Sequence, residues 1–401
     1  MSFCRKNFTN AVWELTLRCN ANCVHCGSTA GKKRKDDLTY DQALSIVQQL
    51  VAEKCQLITL IGGEYFLYPQ WKELLLEIQK LPIRYNIVTN GMLLTEKNLD
   101  FLVQTRIHSI GISLDGATSN THNYIRGVPR CFEKAFDAIK RSRARRIPTT
   151  VVTTINRLNI AELKQLRSLL VANKMRSWQL QHTNLLGRMQ ERFSLDDFGF
   201  YIVGLFCAQT MRLYKPVDMD LHAMHCMGYY SKTIPHHVPK PNRFWTGCYG
   251  GRNILGIRSN GDVVGCLSIY DDKYIEGNLK EKSLAEIRHG KNFCSWNHRL
   301  NRYKSLDGFC KDCPYGLVCL GGCASFAENQ RHCYYAIEQK YAKMNPTTPF
   351  DSLFREITQG KMDKTGRFFL KNGQEITRNF ISSLSIDDEH KKQLSILIVD
   401  N

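Results

Sequence analysis

Two kinds of apolar pattern alternate along the first half of the chain. Short apolar runs predict buried strands, and longer segments with apolar residues at three-and-four spacing predict amphipathic helices. The order strand, helix, strand, repeated about six times, predicts an α/β fold with a parallel sheet and right-handed crossovers. Periodicity by itself does not separate a partial barrel from an open doubly wound sheet. The predicted strands begin near residue 11 and continue with 57–61, 85–88, 109–113, 149–154 and 177–182, and the predicted helices cover 39–53, 69–80, 95–104, 130–145 and 159–173.

Three closely spaced cysteines follow the first predicted strand. They read Cys19-Asn-Ala-Asn-Cys23-Val-His-Cys26. Three thiolates at this spacing can hold three irons of a four-iron cluster and leave the fourth iron open to a small molecule. The alternative is a zinc site completed by a distant fourth ligand.

Polar residues and glycines recur where the predicted strands end. Because ligands bind at the carboxyl ends of parallel strands, we expect these residues to form one site. Each of them has an alternative role in capping the helix that follows. They are Gly62-Gly63-Glu64, Thr89-Asn90-Gly91, Ser113-Leu114-Asp115, Asn156 and Gly187-Arg188.

A second cysteine pattern occupies the second half of the chain. Cys248 is followed by Gly261 and Cys266, and after a gap a dense run begins. The run reads Cys310-x2-Cys313-x5-Cys319-x3-Cys323 and is followed by Cys333.

On these motifs the chain resembles the radical S-adenosylmethionine (SAM) superfamily, and its second cysteine pattern resembles the SPASM domain in order and spacing. The resemblance implies a partial (β/α)6 TIM-like barrel followed by a small SPASM iron–sulfur domain and a C-terminal extension. The implied boundaries are 11–190 for the barrel, 191–245 for a connector, 246–345 for the SPASM domain and 346–401 for the extension.

The resemblance also implies the cofactors. Cys19, Cys23 and Cys26 would hold a [4Fe-4S] cluster that binds S-adenosylmethionine. The SPASM cysteines would hold two auxiliary [4Fe-4S] clusters. The outer cluster would take Cys310, Cys313, Cys319 and Cys333, and the inner one Cys248, Cys266 and Cys323.

One thiolate of the inner cluster is missing, because residues 242–247 contain no cysteine. Cys226 is the nearest upstream candidate. A histidine of the run His222-Ala-Met-His225-Cys226 could replace it, since imidazole can ligate a cluster iron. The third possibility is an open iron that is available to substrate. If Cys226 is not a ligand, it is a candidate hydrogen-atom donor in catalysis.

Further residues take cofactor-binding roles by the same resemblance. His25 would pack near the adenine, the Gly62-Gly63-Glu64 turn would bind the methionine amine, and Arg126 could pair with a carboxylate. The remaining candidates are Asn90, Asp115, Ser113 for the sulfonium side or the ribose, Asn156 for the ribose or the carboxylate, and Gly187 beside the adenine.

The charge balance bears on partners and location. The chain has 55 Lys and Arg against 37 Asp and Glu, a formal net charge of +18, which cluster-bound thiolates would reduce. Charged side chains on a protein surface usually serve only to keep it solvated. A positively charged surface can also attract an acidic peptide or a flavodoxin- or ferredoxin-type reductant. No apolar run reaches membrane-spanning length, so we expect no membrane. Cluster ligation needs reduced thiols, which predicts the cytoplasm.

Relatives of this type mostly modify ribosomally made peptides, so we expect a peptide maturase that acts on a precursor peptide. The enzymatic alternative is a sulfatase-maturing enzyme, but Leu267 follows Cys266 where those relatives carry an aspartate, and the nearest acids are Asp271 and Asp272. The alternative of another class is a non-enzymatic zinc module that binds nucleic acid. Within the extension, the segment 367–371 is a candidate strand for peptide docking.

Overall fold

The structure is a computed structural model that describes residues 9–223, 229–234, 245–326 and 333–399. Its main feature is one sheet of ten strands in the order β10-β9-β8-β1-β2-β3-β4-β5-β6-β7. The strands β1 to β7 pair in parallel throughout. They are β1 (Asn10–Glu14), β2 (Leu57–Ile61), β3 (Arg84–Thr89), β4 (Ser109–Ser113), β5 (Thr149–Ile155), β6 (Ser177–His182), β7 (Asp220–Ala223), β8 (Ile254–Ile257), β9 (Asp262–Val264) and β10 (Ile275–Asn278).

Helices connect the parallel strands and bury the apolar faces that the sequence predicts. Helix α1, for example, buries Ala43, Ile46, Val47 and Leu50, and a capping box of Thr39 and Gln42 satisfies the amides at its start. The helices are α1 (Tyr40–Ala52), α2 (Trp71–Ile78), α3 (Glu96–Gln104), α4 (Ser119–Arg126), α5 (Cys131–Ala144), α6 (Leu163–Ala172), α7 (Asp197–Leu213), α8 (Leu284–His289), α9 (Arg299–Lys304), α10 (Gly308–Lys311), α11 (Gly316–Cys319), α12 (Tyr334–Lys343), α13 (Pro349–Thr358), α14 (Arg378–Ser383) and α15 (Asp388–Ser395).

The expected α/β fold with a parallel sheet is confirmed, with two additions that the sequence pattern did not predict. Helix α4 lies between β4 and α5, in a stretch with few apolar residues. Strand β7 lies in the predicted connector and extends the parallel sheet beyond β6. The connector therefore continues the strand–helix alternation through α7 and β7. None of the helices in the described part of the chain is both long and apolar enough to cross a membrane.

The second half of the chain joins the same sheet. Strand β8 pairs in parallel with β1, and β9 and β10 follow in antiparallel order. The buried Glu14 at the end of β1 strengthens this junction, because its carboxylate accepts hydrogen bonds from Arg34 at 3.0 Å and from the Ser259 amide at 3.5 Å. One sheet thus carries both the loop of the first three cysteines and the start of the SPASM cysteine pattern.

The C-terminal extension packs into the hydrophobic core. Its strand β12 (Phe368–Phe369) pairs with β11 (Lys361–Met362) on one side, and Phe369 forms a bridge to Glu375 on the other. The second pairing closes a short hairpin, so the backbone of Phe368–Phe369 has partners on both sides. The candidate docking strand therefore offers no free edge at these two residues, and a peptide could not add to it without displacing one neighbour.

Buried side chains of the extension predict that it contributes to the stability of the whole protein. Leu394 of α15 is fully buried in the main core, whereas Leu76 of α2 is 39% exposed. Leu394→Ala should lower the free energy of unfolding by about 2–5 kcal/mol, because it removes a buried side chain and leaves a cavity. Leu76→Ala, the matched control, should change it by about 0.5 kcal/mol or less. Anaerobic urea unfolding followed by circular dichroism measures both, and equal midpoints would show that the extension is a detachable flap.

Candidate functional site

The loop that carries Cys19, Cys23 and Cys26 leaves the end of β1 and is fixed by backbone hydrogen bonds. The Cys19 amide donates to the Gly31 carbonyl at 3.1 Å, and the Asn22 amide donates to the Arg126 carbonyl at 3.0 Å. The Arg188 side chain holds the loop from another side, because it donates to the carbonyls of Cys23 and Ala30 at 3.0 and 2.9 Å. The loop conformation is therefore set by a contact within the loop, by the end of α4 and by the segment after β6.

The three thiols of this loop lie close enough to influence one another. Burial raises the pKa of Cys19 to about 11, and the neighbouring Cys23 and Cys26 contribute to the increase. Burial also raises the pKa of Cys23, against the opposing effect of Arg126. Thiols that resist ionisation when buried are stabilised as thiolates by a bound metal. The donor set fits a cluster with three protein ligands.

The two glycines of the Gly62-Gly63-Glu64 turn pack directly against this loop. A Cβ at Gly62 would lie 2.7 Å from the Thr16 carbonyl oxygen, and a Cβ at Gly63 would lie 2.5 Å from that of Arg18. The Gly63 amide donates a hydrogen bond to the Thr16 carbonyl at 2.7 Å, and the Glu64 amide donates one to the Arg18 carbonyl at 2.8 Å. The glycines thus permit close contact between two backbones of the protein, whereas the sequence argument assigned that role to contact with a ligand.

Glu64 is buried and bound to the end of β3. Its carboxylate accepts hydrogen bonds from the Thr89 hydroxyl at 2.6 Å and from the Asn90 amide at 2.9 Å. Burial raises the pKa of Glu64, and these two hydrogen bonds oppose the increase. The Asn90 side chain donates in turn to Asn20 of the cysteine loop at 2.8 Å. Glu64 and Asn90 therefore connect two strand ends with the loop.

A buried charge network lies on the other side of the loop. The Asp115 carboxylate contacts His25 Nε2 at 2.8 Å and Arg126 at 2.7 Å. Burial alone would raise the pKa of Asp115, but Arg126 and His25 outweigh burial and hold this pKa well below its ordinary value. Arg126 also donates to the Cys23 sulfur at 3.8 Å. Arg126 is therefore buried and paired with Asp115 within the protein, and it does not form an ion pair at the surface.

His122 completes this network and was not singled out in the sequence. Its Nδ1 accepts a hydrogen bond from the Asp115 amide at 2.9 Å. Burial, followed by the charge of Arg126, lowers the pKa of His122 to about 3, so the ring is neutral at neutral pH. The ring lies on α4, which the pattern analysis did not predict, and the signal that could have identified it is the short sequence His122-Asn-Tyr-Ile-Arg126 after the fourth strand.

Three further candidates lie at the same end of the sheet. Ser113 is buried at the end of β4. The Asn156 side chain serves its own turn after β5, where its Oδ1 accepts from the Leu158 amide at 2.9 Å. Gly187 has a positive φ of 60°, and a Cβ there would lie 2.3 Å from the Cys26 carbonyl oxygen. The cofactor-binding roles of these residues stay predictions.

The SPASM thiols form two separate sets. In the inner set, the sulfurs of Cys248 and Cys323 are close enough to shift each other's pKa, and Cys266 is near enough to raise the pKa of Cys323. The interaction with Cys323 lowers the pKa of Cys248, against the opposing effect of burial. Cys226, the candidate fourth ligand and hydrogen donor, lies outside the described residues, as does His225. His222 is on β7, where it pairs with Asp220 at 3.0 Å.

The outer set contains the four thiols that the resemblance assigns to it. Burial raises the pKa of Cys319 to about 12, and the next contribution comes from Cys333, followed by Cys310 and Cys313. Burial also raises the pKa of Cys333 to about 11, with contributions from Cys310 and Cys313. Within the described part of the chain, no three His, Cys, Asp or Glu side chains converge as closely as one metal ion would require. The thiolates of a four-iron cluster bind different irons, so such a set is wider than the ligand set of a single ion.

An open cleft of about 680 Å³ lies beside the first cysteine loop. Cys19 is at its wall, and the lining also includes Lys32 from the loop and Arg188 from the segment after β6. Asn20, Asn22 and Thr29 contribute further polar groups, and none of the described residues that line the cleft is aromatic. The cleft is therefore a polar and partly cationic surface next to the three thiols.

Comparisons with known proteins agree with the resemblance that the two cysteine patterns carry. Residues 13–170 match the Radical SAM superfamily, and residues 248–314 match SPASM, an iron-sulfur cluster-binding domain. The AdoMet-dependent heme synthase of Methanosarcina barkeri is 25% identical over 347 residues, which span 80% of this chain and 95% of that protein. The sporulation killing factor maturation protein SkfB of Bacillus subtilis is 30% identical over 47% of this chain and 45% of that protein.

Among solved structures, Streptococcus suis SuiB bound to precursor peptide SuiA has a TM-score of 0.66 and 15% identity, and the match covers 82% of this chain and 75% of SuiB. At this identity the similarity shows the fold alone. Together with the two domain matches, it agrees with the barrel-like sheet, the cysteine loop after β1 and the SPASM thiols described above. The chain belongs to the radical SAM superfamily and carries a SPASM domain, and it is an enzyme that uses a [4Fe-4S] cluster, S-adenosylmethionine and auxiliary iron–sulfur clusters.

Proposed function

We propose that this enzyme modifies a ribosomally synthesised precursor peptide by abstracting a hydrogen atom from one of its residues. The observation that carries the proposal is the polar cleft beside Cys19. Peptide backbones present many hydrogen-bonding groups, and the asparagines, Thr29, Lys32 and Arg188 of the cleft can bind them. When bound, the first cluster and S-adenosylmethionine supply a 5′-deoxyadenosyl radical as the abstracting species.

The protein's own residues hold this chemistry in place. Cys19, Cys23 and Cys26 would bind the first cluster, and the Glu64–Asn90 contact would fix the loop against β3. Asp115 keeps the Arg126 guanidinium beside the Cys23 sulfur and orients His25 through Nε2. The cationic groups of the cleft, together with the positive net charge, would attract an acidic peptide or a flavodoxin- or ferredoxin-type reductant. We propose a cytoplasmic location, because the clusters need reduced thiols.

A second candidate substrate class follows from the relatives. The heme synthase match spans 95% of that protein, whereas the SkfB match spans 45% of its protein. A tetrapyrrole-type substrate is therefore the alternative to a peptide. A flat macrocycle usually binds among apolar and aromatic side chains. The described lining of the cleft beside Cys19 lacks aromatic rings, which favours the peptide.

The two alternatives from the sequence are less well supported. For sulfatase maturation, the acids nearest to Cys266 are engaged elsewhere: Asp271 pairs with Lys273 at 3.0 Å, and Asp272 pairs with Arg258 at 2.7 Å. Sulfatase-maturing relatives carry an aspartate directly after the cysteine that matches Cys266, where this chain has Leu267. Neither of the two surface carboxylates lies at that position. The non-enzymatic zinc module is wrong, because the chain is an enzyme of the radical SAM superfamily.

The substrate class can be tested with the anaerobically reconstituted enzyme. We expect it to change the mass of a peptide encoded beside its gene, in the presence of S-adenosylmethionine and a reductant, while iron-coproporphyrin stays unchanged. Mass spectrometry of both mixtures measures the result. The variant with Cys19, Cys23 and Cys26 all replaced by alanine should yield neither modified peptide nor 5′-deoxyadenosine. Conversion of the porphyrin in place of the peptide would overturn the peptide proposal.

The packing of the glycine turn predicts a second result. Gly63→Ala places a methyl group 2.5 Å from the Arg18 carbonyl oxygen and should displace the cysteine loop. The rate of 5′-deoxyadenosine formation should fall by roughly 100-fold, the loss typical of a misplacement of about 1 Å. Gly31→Ala is the matched control, since a Cβ at Gly31 meets no atom within 4 Å. Equal rates in the two variants would show that the loop tolerates the displacement.

The fourth ligand of the inner cluster gives a third prediction. If Cys226 completes this site, the protein should hold about twelve irons, four in each of three clusters. Cys226→Ala should then change the electron paramagnetic resonance (EPR) signal of one auxiliary cluster, and Cys207→Ala, the substitution of a fully buried cysteine in α7, should not. An unchanged signal in Cys226→Ala would leave a histidine or an open iron as the explanation, with Cys226 as a candidate hydrogen donor.

A further inference from the structure

Arg302 is a buried arginine next to the inner thiol set. It lies on the short helix α9, and it is the buried residue of that helix, at 8% exposure. Its guanidinium donates to the Gly322 carbonyl at 3.0 Å, and its buried Nε has no hydrogen-bond partner among the described residues. The hydrogen bond of this guanidinium thus goes to a neutral carbonyl.

The position of α9 fixes this charge beside the inner thiols. Gly322 immediately precedes Cys323. Asn297, just before α9, donates to the carbonyls of Cys248 and Gly250 at 3.0 and 2.6 Å. The segment 297–302 therefore contacts the backbone beside both Cys248 and Cys323.

A buried cation without a counter-charge is unfavourable, because it has lost its hydration without gaining an opposite charge. Arg126, which lies beside the Cys23 sulfur, has such a counter-charge, because Asp115 pairs with it at 2.7 Å. No such carboxylate pairs with Arg302 in the part of the chain that the structure describes. A four-iron cluster ligated by thiolates is an anion, and it would supply the missing counter-charge.

The outer thiol set differs from the inner one in this respect. Among the described residues, no buried arginine donates a hydrogen bond to a residue directly next to Cys310, Cys313, Cys319 or Cys333. Arg299, on the same helix as Arg302, donates to the Leu317 carbonyl, but its side chain is exposed to solvent. Solvent screens an exposed charge much more than a buried one. The buried positive charge is therefore specific to the inner set.

We propose that Arg302 is the counter-ion of the inner auxiliary cluster and makes that cluster easier to reduce than the outer one. A nearby positive charge stabilises the reduced cluster more than the oxidised cluster, because reduction adds one negative charge. Arg302 would act on the reaction only through the effect of its charge on the cluster. It does not touch the reacting atoms and is therefore a positioning residue.

This assignment gives the inner cluster a place in the electron balance, a step that rests on the proposed function. Abstraction of one hydrogen atom leaves a substrate radical. When that radical loses one proton and forms its new bond, it must release one electron. When bound, the inner cluster would accept this electron and would pass it on to a flavodoxin- or ferredoxin-type carrier. The outer cluster would be a poorer first acceptor if its potential is lower, as the assignment requires.

The test is an EPR-monitored redox titration of the full chain without any substrate. The background carries alanine at Cys19, Cys23 and Cys26, so that the signals come from the auxiliary clusters. We expect two transitions, and Arg302→Gln should move the more positive one to lower potential while the other stays in place. Arg302→Lys should retain most of the original value, because it keeps the charge. Arg299→Gln, on the same helix but exposed, should leave both transitions unchanged.

A second variant keeps the proposal testable if Arg302→Gln loses its inner cluster. In the same alanine background, with Arg302 retained, Cys248→Ser should remove or convert the more positive transition. Loss of the more negative transition in Cys248→Ser, or unchanged potentials in an Arg302→Gln protein with intact clusters, would overturn the assignment. Because no substrate is present, these outcomes do not depend on whether the substrate is a peptide.

Discussion

The pairing of β1 with strands on both sides is the constraint on which the rest of the structure depends. Strand β1 pairs with β2 from the barrel and with β8 from the SPASM region, both in parallel. The first cysteine loop leaves its carboxyl end. One set of backbone hydrogen bonds therefore fixes the thiols that would start the radical chemistry and the scaffold of the thiols that would accept an electron afterwards. Glu14, buried at this junction, ties the two parts further through Arg34 and Ser259.

Backbone contacts hold the first loop, and buried charges distinguish the surroundings of the thiol sets. The loop is fixed by amides and carbonyls of 62–64, 125–126 and 187–188, and the side chains of Asn90 and Arg188 add further hydrogen bonds. The electrostatics are less uniform. Arg126 is neutralised by Asp115, whereas Arg302 donates to a carbonyl. A neutral pair and a buried cation that has no carboxylate partner among the described residues would affect nearby iron–sulfur clusters differently, because net charge is one of the factors that set reduction potential.

The C-terminal extension is part of the core. Phe354 packs against Phe198 and Tyr201 of α7, and Gln209 of the same helix donates to the carbonyls of Gly366 and Leu397 at 2.9 and 2.7 Å. Helix α7 is nearly all buried as a result, although it follows the last predicted strand of the barrel. A segment without cysteines or recognisable chemistry thus packs against α7 and completes its burial.

The separation of the cysteines into three groups is what the family resemblance implies, whereas the sequence by itself determined the α/β fold and the strand ends that meet in the site. These features depend on local periodicity and on spacing, which a single chain displays directly. Only the tertiary structure decided that Gly62 and Gly63 pack against the loop backbone, that Arg126 is buried on Asp115, that β12 has neighbours on both sides, and that Arg302 lies beside the inner thiols. Each of these depends on residues far apart in the chain, and the burial that gives a charge or a glycine its role arises only when those segments pack together.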